Sequence, residues 1–177
     1  MEKRCNISHI SDATLRDECF KDYLNCDSGE LYIEYESRYE NTKILREIID
    51  EFCDLFTMPA KWRTRIVLIF DELNNNAIEH GSIKSDKNIC YISLSKRSTG
   101  LFIVGYVEDT GNAQGSKNHL EMRQLQSTFR DKDFSQHHSI RGRGLFLIIS
   151  QLVELLDFRP SSLGGVQVYF EKLIPLD

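Results

Sequence analysis

Ile66-Val67-Leu68-Ile69-Phe70-Asp71-Glu72-Leu73-Asn74-Asn75-Asn76-Ala77-Ile78-Glu79-His80-Gly81 is the stretch on which the reading of this chain turns. Ile66, Ile69, Phe70, Leu73 and Ala77 recur at the 3.6-residue period of an amphipathic helix. Three consecutive asparagines oppose that helix, because short amides compete for backbone hydrogen bonds. A segment that keeps the helical stripe while loading Glu, Asn and His onto it gives up propensity, and local rule-breaking of this kind marks functional sites.

Glu72, Asn76 and His80 stand at i, i+4 and i+8, so α-helical spacing lines them along one strip. A carboxylate and an amide oxygen one turn apart suit a hard cation that keeps several waters and shares phosphate oxygens, as Mg²⁺ does. Glu72 would then polarise or position a nucleophile near that metal. The competing reading is a solvated helix face ended by a Gly81 C-cap.

Working outward, the 177 residues suffice for one domain with its own core. Hydrophobic content of 41% and charged content of 28% are ordinary for a water-soluble globular protein. A formal net charge of −5 argues against non-specific nucleic-acid binding. No apolar run approaches the roughly 20 residues of a membrane helix, and Met1–Asn6 leads into no apolar signal segment. The five cysteines (Cys5, Cys19, Cys26, Cys53, Cys90) are odd in number, scattered, and form no C-x-x-C pair. Free thiols in a reducing cytoplasm are therefore expected.

Residues 1–28 read as a polar N-terminal extension of unassigned role, with a short helix around Thr14–Leu24. Asp27-Ser28-Gly29 signals a turn, and Glu30–Glu36 alternates like a strand. Tyr39–Phe56 carries a helical stripe, Met58-Pro59 breaks it, and the Asn-rich helix runs over about 62–80. Asn88–Lys96 and Gly100–Glu108 read as strands joined by a hairpin through Arg97-Ser98-Thr99. From Thr110 to about Arg141 no periodicity stands out beyond a short helix near Leu120–Phe129. A span of that length inside a domain reads as a functional lid or a disordered segment. Gly144–Leu156 reads as an apolar helix, with a strand at Val153–Phe158 competing for its last turn. Gly164-Gly165 turns into a closing strand, Val166–Lys172. The expected fold is an α+β two-layer sandwich, its mixed, mostly antiparallel sheet packed on helices, with residues 29–177 as the domain.

Two further motifs accompany the helix. In Val107-Glu108-Asp109-Thr110-Gly111-Asn112-Ala113 a strand ends in an aspartate before a glycine turn. Such a carboxylate accepts a hydrogen bond from a ligand amino group, and Gly111 lets the backbone come close, although Asp and Gly also end strands routinely. In Arg141-Gly142-Arg143-Gly144-Leu145 glycines open a helix, where unobstructed N–H groups and the positive helix end suit an anion. Arg141 and Arg143 add charge there; a capping role is the plain alternative.

In this order the three motifs resemble the N, G1 and G2 boxes of the Bergerat-fold ATPases, and the chain looks most like their anti-sigma-factor serine kinase branch. The resemblance covers about residues 30–172, with E-x-x-x-N-A-x-x-H at Glu72–His80 and G-x-G-L at Gly142–Leu145. It implies that Asp109 recognises the adenine amino group of ATP, that Asn76 ligates Mg²⁺ and that Glu72 is the catalytic carboxylate. It also implies an ATP site that includes His80, Gly111, Ala113 and the Arg141–Leu145 turn, whose Gly142–Leu145 part contacts the phosphates, under a lid at about 112–141. The implied partners are an anti-anti-sigma protein of STAS type, phosphorylated on serine, and a sigma factor that the kinase sequesters in the cytoplasm. Direct contact with nucleic acid or membrane is not implied; small kinases of this type are commonly homodimers.

Two positions depart from the pattern. Ala113 stands where the G1 box carries its last glycine, and Gly165-Val166 replaces a Gly-Thr pair whose hydroxyl would lie near adenine. These departures favour a nucleotide-binding regulatory module without phosphoryl transfer, whereas Glu72 favours a kinase. A histidine kinase would need an upstream helical hairpin, and a strand-passing or repair ATPase a domain after the closing strand. Cys5, His9, Cys19 and Cys26 offer soft ligands for zinc at spacings that fit no tight pair. His137-His138 would touch phosphate or lie solvated in the lid.

Overall fold

The computed structural model describes residues 4–7, 13–21, 23, 26–130 and 152–175. Elements follow the order β1 (Arg4–Ile7), α1 (Ala13–Lys21), β2 (Ser28–Glu36), α2 (Glu40–Leu55), α3 (Ala60–Asn76), β3 (Lys87–Arg97), β4 (Gly100–Glu108), α4 (His119–Arg130), β5 (Leu155–Pro160) and β6 (Val166–Ile174). The described strands form one sheet in the order β1-β2-β3-β4-β6-β5. Only the β1–β2 pair is parallel; the other pairings are antiparallel. This is the expected α+β sandwich.

Alternation decides which sheet face is covered. Along β2 the residues Leu31, Ile33 and Tyr35 are buried while Tyr32 and Glu34 are half exposed. The same period continues through Cys90, Ile92 and Leu94 on β3 and Leu101, Ile103 and Val107 on β4. Against that face α2 presents Leu45, Ile48, Ile49 and Phe52, and α3 presents Ile66, Ile69, Phe70 and Leu73. Phe70 meets Phe170 edge-on across the layers, with centroids 5.3 Å apart. Among the described residues no helix is long and apolar enough to cross a membrane.

Three local expectations change in three dimensions. The N-terminal extension is integrated with the domain: β1 lengthens the sheet, and Phe20 and Tyr23 join the core against Phe52 and Phe56. Composition concealed this because two aromatics in a polar segment carry no period. Between the apolar helix and the strand that competed for Val153–Phe158, the strand prevails, as β5. Leu156 and Phe158 face the core opposite Phe170 and Val168, while Asp157 and Arg159 point away. Most of Gly144–Leu156 lies outside the described residues. The free-thiol expectation holds for Cys26, Cys53 and Cys90, whereas Cys19 is disulfide-bonded.

Candidate functional site

The asparagine triplet separates into different tasks. Asn74 is buried; its Oδ1 accepts from the Tyr35 hydroxyl at 2.7 Å, and its Nδ2 donates to the Phe70 carbonyl at 2.8 Å. That amide is structural, which explains how a core-facing helix tolerates it. Asn76 is half-buried, and its Nδ2 donates back to the Glu72 carbonyl at 2.7 Å. Its Oδ1 and the Glu72 carboxylate make no hydrogen bond among the described residues, so both remain available as oxygen donors to a ligand or cation.

Past Asn76 the backbone winds wider, and Ala77–Gly81 form a π-helical turn. This turn changes two expectations. His80 does not continue the α-helical strip of Glu72 and Asn76; its side chain is exposed, with Nε2 3.8 Å from Glu79 Oε2. Gly81 is not a left-handed C-cap either: it has no positive φ, and the chain leaves the helix through extended Ser82. What position 81 requires is space, because a methyl carbon there would overlap Asp109 Cγ and Oδ2. The helix end therefore sits directly against the aspartate at the end of β4.

Asp109 is held on its other side by main chain. Its N–H donates to the Val166 carbonyl at 3.0 Å, while its Oδ1 accepts the N–H groups of Val166 and Gly111, each at 3.0 Å. Oδ2 makes no hydrogen bond among the described residues. Burial pushes the carboxyl above the ordinary Asp value, and the two N–H donors oppose that rise without cancelling it. The result is a half-buried acceptor, oriented through one oxygen and open at the other. The loop that follows is tied back to the helix: Ala113 N–H donates to the Gly81 carbonyl at 3.3 Å, and Ser116 Oγ donates to the Gly111 carbonyl at 2.6 Å.

Several residues of this frame escaped sequence reasoning. Ser82 Oγ donates to Asn88 Oδ1 at 2.6 Å and accepts the Thr110 N–H at 3.0 Å, joining the helix exit, the start of β3 and the Asp109 loop. Thr110 Oγ1 donates to Asp86 at 2.6 Å, and that bond is the main cause holding the Asp86 carboxyl below its usual range. Buried Glu108 gathers the β5–β6 turn. Its Oε2 accepts from Ser161 Oγ at 2.9 Å and from both Ser162 N–H and Ser162 Oγ at 2.7 Å, and its Oε1 accepts from Gln167 at 2.8 Å. A carboxylate at the end of an apolar strand was the one signal that pointed to Glu108.

Both departures fit the backbone of this frame. Ala113 has an ordinary negative φ, so no glycine is needed at that position. Val166 engages Asp109 through backbone N–H and C=O, which any non-proline residue supplies. Arg141, Gly142, Arg143, Gly144, Leu145, His137 and His138 lie outside the described residues, as do the side chains of Cys5 and His9. Among the described residues no group of three His, Cys, Asp or Glu side chains comes together as a metal site.

The π-helical turn that continues α3 and the strand-end aspartate thus meet at Gly81. A family model for the histidine kinase-like ATPase domain matches residues 35–172. The chain belongs to the histidine kinase-like ATPase family. It matches no curated protein. As a member of that family it is an ATP-binding domain, and Asp109, held against Gly81, is one of the described residues of its candidate nucleotide site.

Two substitutions test how this ATPase domain holds that aspartate. A methyl carbon on Gly165 would overlap Asp109 Oδ1 and crowd the Gly111 N–H. Gly165→Ala is expected to cost about 1–3 kcal/mol of stability and to weaken ATP binding, read by denaturant melts and ATP titration. Glu108→Ala leaves the Ser161, Ser162 and Gln167 donors without their shared acceptor. A loss of about 2–4 kcal/mol is expected, with lower ATP affinity as the turn carrying Gly165 loosens. A wild-type melt would refute that role for Glu108.

Proposed function

We propose that this ATPase domain is a serine/threonine kinase of the anti-sigma-factor type, acting on a small anti-anti-sigma partner of STAS type and sequestering a sigma factor. The observation that supports the reading is the packing of Gly81, at the end of the π-helical turn that continues α3, against Asp109. Asp109 Oδ2 would accept the adenine amino group. Glu72 would take the proton of the partner's serine hydroxyl as that oxygen bonds to the γ-phosphorus and the bond to the β-phosphate oxygen breaks, leaving ADP.

The donor set fits Mg²⁺. Asn76 gives its amide nitrogen to its own helix and leaves its oxygen without a hydrogen bond among the described residues, a hard neutral ligand suited to a cation that shares phosphate oxygens. When bound, Mg²⁺ would supply charge neutralisation on the phosphates. Phosphorylation would add about −2 charge to the partner surface, enough to release it and free the kinase for the sigma factor.

Calorimetric titration of ATP with and without Mg²⁺, followed by labelled-phosphate transfer to the partner, tests this reading. Asn76→Ala is expected to abolish the Mg²⁺ dependence of ATP affinity while leaving Mg²⁺-free binding nearly unchanged. ATP binding without transfer to any STAS-type partner would instead favour the regulatory-module reading.

A further inference from the structure

Thr110 stands between Asp109 and Gly111, and side chains of the segment that leaves the π-helical turn take both of its hydrogen-bond donors. Its N–H donates to Ser82 Oγ at 3.0 Å, and its Oγ1 donates to Asp86 Oδ2 at 2.6 Å. The same Asp86 oxygen accepts from Asn112 Nδ2 at 3.1 Å, on the far side of Gly111. Gly111 has φ +72° and donates its N–H to Asp109 Oδ1. A glycine in that region is the most freely turning point of the loop, so bonds on both sides of it decide where the loop rests.

Both acceptors are fixed independently of the loop. Ser82 is buried and donates its hydroxyl hydrogen to Asn88 Oδ1 at 2.6 Å; Asn88 is itself fully buried near the start of β3. Asp86 sits in a tight turn. Its N–H donates to the Ile83 carbonyl at 2.9 Å, and its Oδ2 accepts the Ile83 N–H at 3.1 Å. Its carbonyl accepts the N–H of Ser37, the residue after β2, at 2.9 Å. The Asp109 loop is therefore gripped from two sides. Val166 holds it through main chain, whereas residues 82–86 hold it through a hydroxyl and a carboxylate.

We propose that Thr110, clamped by Ser82 and Asp86, is a positioning residue for base selection. It sets where the Asp109 carboxylate stands, and so how strongly the site prefers adenine, with its amino group, to a 6-oxo purine. The inference rests on Asp109 as the adenine acceptor. Hydrogen bonds weaken steeply with distance and misalignment, so a loop that shifts loses its contact to the base. The triphosphate is common to both ligands, and its contacts cancel in the ratio of their affinities. A residue that only stabilised the fold would leave that ratio unchanged.

Titration calorimetry of the full chain with ATP and with inosine triphosphate gives the ratio, alongside denaturant melts. Wild type is expected to favour ATP by about tenfold. Thr110→Val keeps the branched shape and the N–H but removes the hydroxyl, and should reduce the preference about fivefold. Thr110→Ser, which keeps the hydroxyl, should restore it. Ser82→Ala removes the other acceptor and should reduce it as well. Ile49→Val, a change in the buried face of α2, should lower the melt with the ratio intact. Asp109→Asn distinguishes the clamp from the contact it serves. A ratio lowered by Asp109→Asn but held at the wild-type value by Thr110→Val and Ser82→Ala would overturn the clamp and leave the adenine reading standing. A ratio unchanged by Asp109→Asn would overturn the adenine reading and the clamp with it. Equal losses in Thr110→Ser and Thr110→Val would also sink the proposal, because the hydroxyl would then not be the cause.

Discussion

Glu72→Gln is expected to bind ATP within about threefold of wild type while phosphoryl transfer falls by about a hundredfold to ten-thousandfold. Glutamine keeps the size, the half-buried position and the Asn76-to-Glu72 carbonyl bond, which involves main chain at position 72. What it removes is the ability to accept a proton. Loss of a general base corresponds to roughly 3–5 kcal/mol of transition-state stabilisation, whereas the nucleotide contacts proposed for Asp109 are untouched. Single-turnover transfer of labelled phosphate, alongside an ATP titration, separates the two quantities. Transfer at the wild-type rate would remove Glu72 from the chemistry. Parallel loss of binding and transfer would make it a ligand-holding group instead.

Asp109→Asn is expected to act in opposite directions on affinity and stability. The asparagine oxygen can accept the Gly111 and Val166 N–H groups as Oδ1 does now. Its NH₂ then occupies the place of Oδ2 and meets the adenine amino group donor to donor. A charge-assisted bond is worth about 1.5–3 kcal/mol, so ATP should weaken by roughly tenfold to a few hundredfold. A 6-oxo purine triphosphate should lose far less, because its carbonyl would now face a donor. Undiminished ATP affinity would take the adenine contact away from Asp109.

Without nucleotide the same variant should be more stable than wild type above the ordinary Asp range. The folded carboxyl sits above its unfolded value because burial disfavours its charge. The native state therefore holds the proton more tightly, and its advantage is complete below the unfolded pKa. That advantage is lost as pH rises through the raised folded pKa. Melts of wild type and Asp109→Asn should coincide most nearly at low pH and diverge as pH rises through that window. A wild type that gains stability relative to the variant over the same window would contradict the burial-driven shift.

Periodicity carried much of the fold. The stripes of α2 and α3 and the alternation of β2, β3 and β4 are local properties of side-chain spacing, and these elements form where the patterns lie. Phe20 and Tyr23 illustrate what spacing cannot convey: two rings in a polar segment become core only because Phe52 and Phe56 wait for them. Leu156 and Phe158 settle as strand rather than helix because β6 offers a partner edge, a competition that no local window contains.

The candidate site divides along the same line. Glu72, Asn76, Asp109 and Gly111 were legible because their chemistry is written in residue type and order. The distinction between Asn74 and Asn76 was not, since identical amides acquire different roles only when Tyr35 bonds one and solvent faces the other. His80 shows the limit of ideal geometry, as one wide-wound turn takes it off the strip that α-helical spacing assigned. Sequence by itself determined the layered architecture, the ATP-binding family and the chemical character of the helix strip and strand-end acid. Tertiary structure alone decided that Gly81 and Gly165 clasp Asp109 and that Glu108 anchors the turn beside it. Those outcomes depend on contacts between segments remote in the chain, where packing and register, rather than propensity, select the partner.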